Sequence, residues 1–167
     1  MILYHGSNMV VDFPRLVKQT RFLDFGPGFY TTENNAQAVS FAEKVFRRRY
    51  TGAQTVSIYE FDAEIAYADC TYLHFDKPDK VWLDYVFQNR TGTYSGSSFD
   101  LIYGPVANDD VYETLNLYTS GVLNKTETLM RLKIKTLFNQ MVFASDRALS
   151  YLRFIGILGL EVDNEQR

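Results

Sequence analysis

Three short stretches of the chain carry residues suited to hydrogen bonding and ring stacking. They are Tyr4-His5-Gly6-Ser7, Phe25-Gly26-Pro27-Gly28-Phe29-Tyr30 and Asn139-Gln140-Met141-Val142-Phe143. An imidazole nitrogen donates or accepts a hydrogen bond, and a tyrosine stacks on a ring while its hydroxyl bonds. A glycine lets a ligand approach the backbone closely. Because each stretch lies on or beside a predicted strand, we expect a rigid scaffold to direct all three toward one cleft.

The elements that position these stretches are short strands mixed with short helices. Alternating and β-branched patterns predict strands at residues 2–4, 29–31, 55–61, 99–103, 140–143 and 154–160. Capping residues and helical spacing predict helices that begin near Thr32, after Asp79, at Asp109 and Asp110, after Asn124 and after Ser145. Strands and helices alternate irregularly, which favours an α+β fold.

Composition limits the class of protein. The 167 residues fit one domain, residues 1–167, and 46% hydrophobic content is ordinary for a globular chain. The net charge of −3 argues against non-specific nucleic-acid binding, although it leaves room for a local basic groove. A single cysteine, Cys70, and two histidines, His5 and His74, predict neither a disulfide framework nor a metal site. We expect a cytoplasmic protein with no membrane segment.

The three stretches resemble the His-Tyr-Glu class of ADP-ribosyltransferases, which includes diphtheria toxin and the poly(ADP-ribose) polymerases. His5-Gly6-Ser7 is similar to the opening motif of the polymerases, while Gly28 and Tyr30 are similar to their glycine loop and stacking tyrosine. Phe41 falls at helical spacing after Tyr30, where that class carries its second ring. The resemblance implies two small, mostly antiparallel sheets that form an NAD cleft surrounded by helices.

Nearly the whole chain also resembles a small bacterial family long catalogued as a domain of unknown function with this same fold. The shared motifs are Leu3-Tyr4-His5-Gly6-Ser7, the loop from Asp24 to Thr32, Trp82-Leu83-Asp84, the stretch from Asp100 to Asp110, and Gln140-Met141-Val142-Phe143. Members of that family look like toxins of toxin–antitoxin pairs. The resemblance therefore implies a mono-ADP-ribosyltransferase toxin, with NAD⁺ as substrate, a macromolecular acceptor and a cognate antitoxin as partners.

The residue types suit the chemistry that the resemblance implies. Loss of nicotinamide from NAD⁺ breaks an N-glycosidic bond and develops positive charge on the ribose, which an enzyme must stabilise. Tyr30 and Phe41 can sandwich the flat nicotinamide, and the backbone N–H and C=O of Gly6 can approach its carboxamide. His5 can hold a ribose hydroxyl. Gly6, Ser7, Gly28 and Phe41 complete the predicted NAD-binding set with His5 and Tyr30.

Gln140 departs from the class, which carries a glutamate at this position. A neutral amide can hydrogen-bond the ribose hydroxyl, but it cannot act as a base or supply a full negative charge. Single transfer therefore fits better than polymer formation. Asp109 and Asp110 are candidates for a nearby acid, and the ordinary explanation for both is capping of a helix N-terminus.

Other functions remain open from the sequence. The neutral Gln140 is compatible with a catalytically silent NAD- or ADP-ribose-binding module that acts through a partner protein. An NAD⁺ glycohydrolase, in which water replaces the acceptor, is a third possibility. The related RNA 2′-phosphotransferases rank last, since Tyr30 and Gln140 stand where those enzymes carry a further histidine and arginine. The acceptor itself, whether protein, DNA, RNA or small molecule, is not encoded in any motif.

Overall fold

A computed structural model describes residues 1–18, 21–106, 109–133 and 137–159, with the side chains of Asp109 and Asp110 excluded. Seven strands are described in chain order: β1 Ile2–Ser7, β2 Phe29–Thr32, β3 Thr55–Phe61, β4 Tyr72–His74, β5 Leu101–Val106, β6 Phe138–Phe143 and β7 Leu152–Ile157. The helices are α1 Asn35–Arg49, α2 Ala63–Asp69, α3 Lys80–Thr91, α4 Asp109–Thr119, α5 Lys125–Leu132 and α6 Asp146–Leu149. The α+β class predicted from the sequence is confirmed.

All seven strands form one sheet in the order β4-β5-β6-β2-β1-β3-β7. Within the described chain, β4 and β5 pair in parallel and the other neighbours are antiparallel. The two separate sheets expected from the sequence are thus joined into one. The junction is thin, because β1 and β2 share a single registered pair, Tyr4 with Thr32.

Helices cover both faces of the sheet. Directly opposed residues of paired strands lie on the same face, and successive residues alternate between faces. On one face, Tyr30, Ile102 and Val142 pack against buried residues of α3, α4 and α5, and α1 covers the neighbouring part over β1 and β3. On the other face, Leu3, Phe29 and Phe143 pack with Ala66 of α2 and with Ala148 and Leu149 of α6.

Capping side chains fix where the helices begin. Asp79 accepts the backbone N–H groups of Val81 and Trp82, so α3 begins where the sequence predicted. Asn124 and Glu127 form a reciprocal capping box at α5. The predicted start near Thr32 is wrong, since Asn34 caps α1 by accepting the N–H of Gln37. Thr32 completes β2 instead, and its hydroxyl accepts the N–H of Asn34 at 3.1 Å.

Two elements were not predicted, and several strands extend beyond their predicted bounds. Helix α2 and strand β4 each span seven residues or fewer, which gives little periodicity to detect. Strand β5 runs through Gly104 and Pro105, where the sequence predicted its end. Gly104 is needed there, because an added Cβ would lie 2.8 Å from Cβ of Phe75. The indole of Trp82 donates to the Pro105 carbonyl at 2.7 Å and so ties α3 to this strand.

None of the helices that the structure describes has both the length and the hydrophobicity that crossing a bilayer requires.

Candidate functional site

The junction between β1 and β2 is the most unusual feature of the sheet. Strand β1 pairs with β3 over six residues, from Ile2 opposite Glu60 to Ser7 opposite Thr55. It pairs with β2 at Tyr4 alone. The next potential pair, Gly6 opposite Tyr30, is absent from the register of these described strands. The pairing of β1 with β2 therefore stops after one residue, and we call the unregistered stretch between Gly6 and Tyr30 the seam.

Hydrogen-bond alternation directs the backbone of Gly6 into the seam. The amino group and carbonyl of Met1 exchange hydrogen bonds with Phe61, both at 2.8 Å, which makes this a hydrogen-bonded pair of the β1–β3 ladder. Such pairs alternate along an antiparallel ladder, so residues 3, 5 and 7 bond toward β3 while residues 2, 4 and 6 face β2. The N–H and C=O of Gly6 consequently face the open side of β1.

His5 crosses the seam with its ring. Its Nδ1 lies 2.7 Å from the carbonyl oxygen of Tyr30. A carbonyl only accepts, so Nδ1 carries the proton, and Nε2 of the neutral ring is an acceptor. Burial lowers the pKa of His5 below 6.5, and the nearby charge of Arg49 lowers it further against the opposing effect of the Tyr30 carbonyl. The ring is thus neutral at pH 7, with Nε2 ready to accept from a hydroxyl.

Phe29 supports the His5 ring from behind. The two rings stack with their centroids 4.3 Å apart, and Phe29 in turn meets Tyr59 edge-on at 5.7 Å. Because Phe29 is buried in the core, the orientation of the imidazole is fixed by packing as well as by its hydrogen bond.

Tyr30 fastens the glycine loop to the sheet. Its hydroxyl donates to the carbonyl of Gly26 at 2.6 Å and accepts the N–H of Phe25 at 3.2 Å. Burial, followed by the charge of Asp24, raises the pKa of Tyr30 well above 10, so the phenol remains protonated. Gly26 adopts φ +80°, which glycine tolerates best. The loop that precedes β2 is thus rigid, and Tyr30 holds it.

Helix α1 lies directly on Gly6. A Cβ added to Gly6 would stand 2.1 Å from the backbone oxygen of Ala38 and 2.8 Å from the backbone nitrogen of Ala42. No larger residue fits without displacing the helix. Phe41 precedes Ala42 on this helix and is 45% exposed. The residue next to the one that contacts Gly6 therefore carries an accessible aromatic ring.

Gln140 lies at the adjoining end of the sheet. It is opposite Thr32 on β2 and Gly104 on β5, and it is only partly buried. Its side-chain amide has no hydrogen-bond partner among the described residues. Thr32 is tied in place, since its hydroxyl donates to Oε1 of Gln37 at 2.6 Å and contacts the Asn139 carbonyl at 3.2 Å. A rigid strand end thus presents a free amide.

Strand alternation divides the predicted site residues between the two faces of the sheet. Gly6, Tyr30 and Gln140 lie on the face that carries α1. Tyr4 and Thr32, which are paired across the sheet with Gln140, lie on the same face. His5 and Ser7 lie on the opposite face, and no hydrogen bond or ring contact of the described chain joins His5 to Gln140. What links the two sets is the seam, across which His5 reaches the Tyr30 backbone.

The remaining predicted residues have mainly structural surroundings. Ser7 is 8% exposed and ends β1. Gly28 packs on β6, where an added Cβ would lie 2.5 Å from Cγ1 of Val142 and 2.9 Å from the Phe143 oxygen. Asp109 and Asp110 open α4, and their side chains lie outside the described part of the structure.

A buried ion pair behind the glycine loop was missed from the sequence. Arg90 of α3 donates to Oδ1 of Asp24 at 2.9 Å, with both side chains about one-tenth exposed. Its other terminal nitrogen donates to Asn116 of α4 at 2.7 Å, and its guanidinium lies 4.4 Å from the ring centre of Tyr112. The pair anchors the loop to two helices. A separation of 66 residues left no local signal for it.

Glu33 was also missed. It follows Thr32 at the end of β2, and its Oε1 accepts the hydroxyl of Tyr103 at 3.0 Å. Asn139 donates to the same hydroxyl at 3.2 Å. A carboxylate thus lies one residue from the partner of Gln140, although alternation directs it to the other face. Only its position after a predicted strand could have marked it.

Metal ligands do not assemble in the described ranges, where no group of three or more His, Cys, Asp or Glu side chains lies together.

Comparison with known families assigns the chain to a family. Residues 1–154 match the family described as "Protein of unknown function (DUF3990)", and since this covers most of the chain, the protein belongs to that family. All three stretches of the candidate site lie within the matched residues. No protein with a curated function and no solved structure matches the chain.

Proposed function

We propose that this protein is a mono-ADP-ribosyltransferase that uses NAD⁺ as its substrate. The observation that carries the proposal is the seam, where the N–H and C=O of Gly6 face β2 beyond the single registered pair, and where the helix that packs on Gly6 carries the 45% exposed ring of Phe41. A carboxamide needs one such donor and one such acceptor side by side, and its planar ring favours an aromatic neighbour. The resemblance to the His-Tyr-Glu class supports the same assignment.

Each residue then has a defined part. Gly6 holds the carboxamide of nicotinamide through its backbone, while Phe41 and Tyr30 wall the ring. His5, neutral and fixed by its Nδ1 bond to Tyr30, accepts a ribose hydroxyl at Nε2. Gln140 bonds another ribose hydroxyl through its amide. These contacts orient the ribose so that its anomeric carbon is open to attack on the face away from nicotinamide.

The reaction needs little acid–base chemistry from the protein. The bond between the anomeric carbon and the nicotinamide nitrogen breaks, its electron pair leaves with nicotinamide, and the acceptor forms the new bond with its own lone pair. The acceptor's proton passes to solvent or to a base on the acceptor, because the amide of Gln140 cannot take it. One transfer to a good nucleophile is therefore expected, without chain extension.

The first test is release of nicotinamide from NAD⁺ labelled in its adenylate half, with and without cell lysate. Wild type should release nicotinamide and move label onto a lysate component. His5→Ala and Gln140→Ala should reduce release at least about a hundredfold. His74→Ala is the matched histidine control, since His74 is 44% exposed on β4 and should be replaceable without effect.

The results separate transfer from its alternatives. Free labelled ADP-ribose without a labelled lysate component would indicate a glycohydrolase. Intact NAD⁺ in every tube, with NAD⁺ binding seen by calorimetry, would contradict the transferase proposal. It would favour the silent binding module, which the neutral Gln140 supports as the second candidate. Unchanged release in both active-site variants would remove the assignment of the seam as the site.

The proposed biological setting rests on the resemblance alone. It is that of a bacterial toxin held inactive by a protein antitoxin, acting in the cytoplasm on a macromolecule. Expression of the wild-type chain in a bacterial host should arrest growth, whereas the His5→Ala variant should cause no arrest.

A further inference from the structure

An exposed carboxylate lies within a small group of polar side chains at the end of the sheet that carries Gln140. Oε1 of Glu33 accepts the hydroxyl of Tyr103 at 3.0 Å, and the amide nitrogen of Asn139 donates to the same hydroxyl at 3.2 Å. Burial raises the pKa of Tyr103, and the hydrogen bond to Glu33 raises it further, so the phenol stays protonated at neutral pH. These three side chains therefore hold one another in place, and we call them the Glu33 site.

The Glu33 site retains unused hydrogen-bond acceptors. Among the residues that the structure describes, Tyr103 alone donates to Glu33, and nothing donates to the amide oxygen of Asn139. The side chains of Glu33 and Asn139 are both exposed. A carboxylate that accepts one hydrogen bond keeps lone pairs for further donors. The site thus offers a carboxylate and an amide oxygen to a ligand that approaches from solvent.

A buried site elsewhere in the chain shows which ligand such a group suits. The guanidinium of Arg90 donates to the carboxylate of Asp24 at 2.9 Å and to the amide oxygen of Asn116 at 2.7 Å. It also lies 4.4 Å from the ring centre of Tyr112. One carboxylate, one amide and one tyrosine ring thus surround this arginine.

The Glu33 site contains the same three kinds of side chain, and no Arg or Lys in the described part of the chain pairs with its carboxylate. Glu33 supplies the carboxylate, Asn139 the amide and half-buried Tyr103 the ring. A guanidinium carries its N–H donors in a planar fork that matches such oxygen acceptors, and its plane stacks on aromatic faces. An ammonium group is a compact point charge and fits this arrangement less well. The site is therefore suited to an arginine side chain.

Further rings lead away from Tyr103 along strand β4. The ring centre of His74 lies 5.1 Å from that of Tyr103, and Tyr72 lies 5.8 Å from His74. Tyr67 of α2 stacks on Tyr72 at 4.5 Å and is 38% exposed. Beside this row, the exposed carboxylate of Asp76 lies 3.3 Å from Nε2 of His74. The rings and the second carboxylate extend the surface over which a positively charged segment can bind.

We propose that the Glu33 site binds an arginine side chain of a partner polypeptide whose adjoining residues lie along the row of rings. A basic segment is favoured over a nucleic acid, because the carboxylates of Glu33 and Asp76 would repel phosphates. A partner bound here lies at the end of the sheet that carries Gln140, since Glu33 follows Thr32, the strand partner of Gln140. Binding at this site does not require NAD⁺, so it stands apart from the proposed transferase activity.

Fluorescence anisotropy of two labelled peptides tests the site, one alternating arginine with glycine and the other alternating lysine with glycine. At about 50 mM salt, where charges are weakly screened, wild type should bind the arginine peptide at least about threefold more tightly than the lysine peptide. Glu33→Gln keeps the shape of the side chain and removes its charge. It should weaken binding of the arginine peptide about tenfold.

Tyr103→Leu removes the ring at the centre of the site. It should weaken binding of the arginine peptide about threefold and reduce the preference for arginine over lysine. The matched controls are Glu113→Gln, which neutralises an exposed acid of α4, and Tyr50→Leu, which removes an exposed ring at the end of α1. Both should bind the arginine peptide as wild type does. Thermal unfolding of every variant verifies folding.

The outcomes separate a specific site from attraction between net charges. A tenfold loss in Glu33→Gln with binding retained in both controls supports the site. Equal affinity of wild type for the two peptides, equal weakening in Glu113→Gln, or no binding of either peptide at low salt would overturn it. Tighter binding of a labelled single-stranded oligonucleotide than of the arginine peptide would also overturn it. Because no measurement uses NAD⁺, failure here leaves the transferase proposal standing, and an inactive transferase leaves this site standing.

Discussion

The two edges of strand β1 differ sharply. Toward β3 the strand is paired at six residues, and toward β2 it is paired at one. The same six residues are therefore all paired on the β3 side, and only one of them is paired on the β2 side. Unpaired backbone groups inside a protein destabilise it unless water or a ligand takes their place. Strand β3 thus holds β1 over its whole length, whereas β2 holds it at Tyr4 only.

Gly6→Ala should have the largest effect, because it forces apart the packing that supports both edges. The new Cβ would meet two backbone atoms of α1, at 2.1 and 2.8 Å, and neither can rotate away. We expect a loss of about 3 kcal/mol or more in the free energy of unfolding. Urea denaturation measures it.

Gly159→Ala is the control for that substitution, since no atom lies within 4 Å of its added Cβ. Its free energy of unfolding should change by less than about 0.5 kcal/mol. A Gly6→Ala protein as stable as this control would mean that α1 does not rest on the open edge.

Tyr30→Phe should loosen the glycine loop before β2 and leave the pairing of β1 with β3 intact. It removes the hydrogen bonds to the Gly26 carbonyl and the Phe25 N–H and leaves both groups to find other partners. We expect a loss of about 1–2 kcal/mol. Tyr103→Phe, which removes a bond to the exposed Glu33, should lose less than about 0.5 kcal/mol. Equal losses in the two variants would argue against a special role of Tyr30 in holding the loop.

The His5 ring at the seam should make stability depend on pH. Its pKa is lowered in the folded protein, so the unfolded chain takes up a proton first as the pH falls below about 6.5. Stability is therefore complete above pH 6.5 and decreases below it, by at most about 1.4 kcal/mol per pH unit.

His5→Gln should remove this component, and His74→Gln should retain it because His5 is still present. Unfolding is followed in urea between about pH 5 and pH 7. Parallel pH profiles for wild type and His5→Gln would contradict a neutral, buried imidazole at the seam.

Phe41→Ala should leave the fold almost unchanged and affect only the ligand. Because Phe41 is 45% exposed, its truncation should cost less than about 0.5 kcal/mol of stability, whereas NAD⁺ binding should weaken about tenfold. Val45→Ala, at a buried position of the same helix, should do the reverse and lose about 2 kcal/mol with affinity retained. Calorimetry with NAD⁺ gives the affinity, and urea denaturation gives the free energy of unfolding. Similar effects of the two substitutions would contradict a role of Phe41 in the ligand site and of Val45 in the core.

Much of the secondary structure followed from local signals. Strand β3 was predicted over its whole length from alternation, and the caps Asp79, Asn124 and Ser145 marked the starts of α3, α5 and α6. The buried face of α1 was also predicted, with Ala38, Ala42 and Val45 in the core. These signals depend on neighbouring residues, which is why they are visible without a structure.

Features that depend on distant contacts were not predictable. The joining of the sheet rests on Tyr4 opposite Thr32, and the loop anchor rests on Arg90 with Asp24. The start of α1 was misplaced for a local reason, because Asn34 rather than Thr32 caps the helix. Glycines and rings indicated the candidate site in the sequence, but no sequence pattern could indicate that His5 lies on the opposite face from Gln140.

The position of β6 in the sheet also determines when the whole sheet can form. This strand comes late in the chain, at Phe138–Phe143, yet it lies between β5 and β2 in the middle of the sheet. During synthesis, the β4–β5 pair and the β2-β1-β3 part have no shared partner until it arrives. Pairing over such sequence separations is slow to form. The nascent chain therefore stays without a complete sheet through most of its translation, and any activity at the seam begins only after the chain is nearly finished.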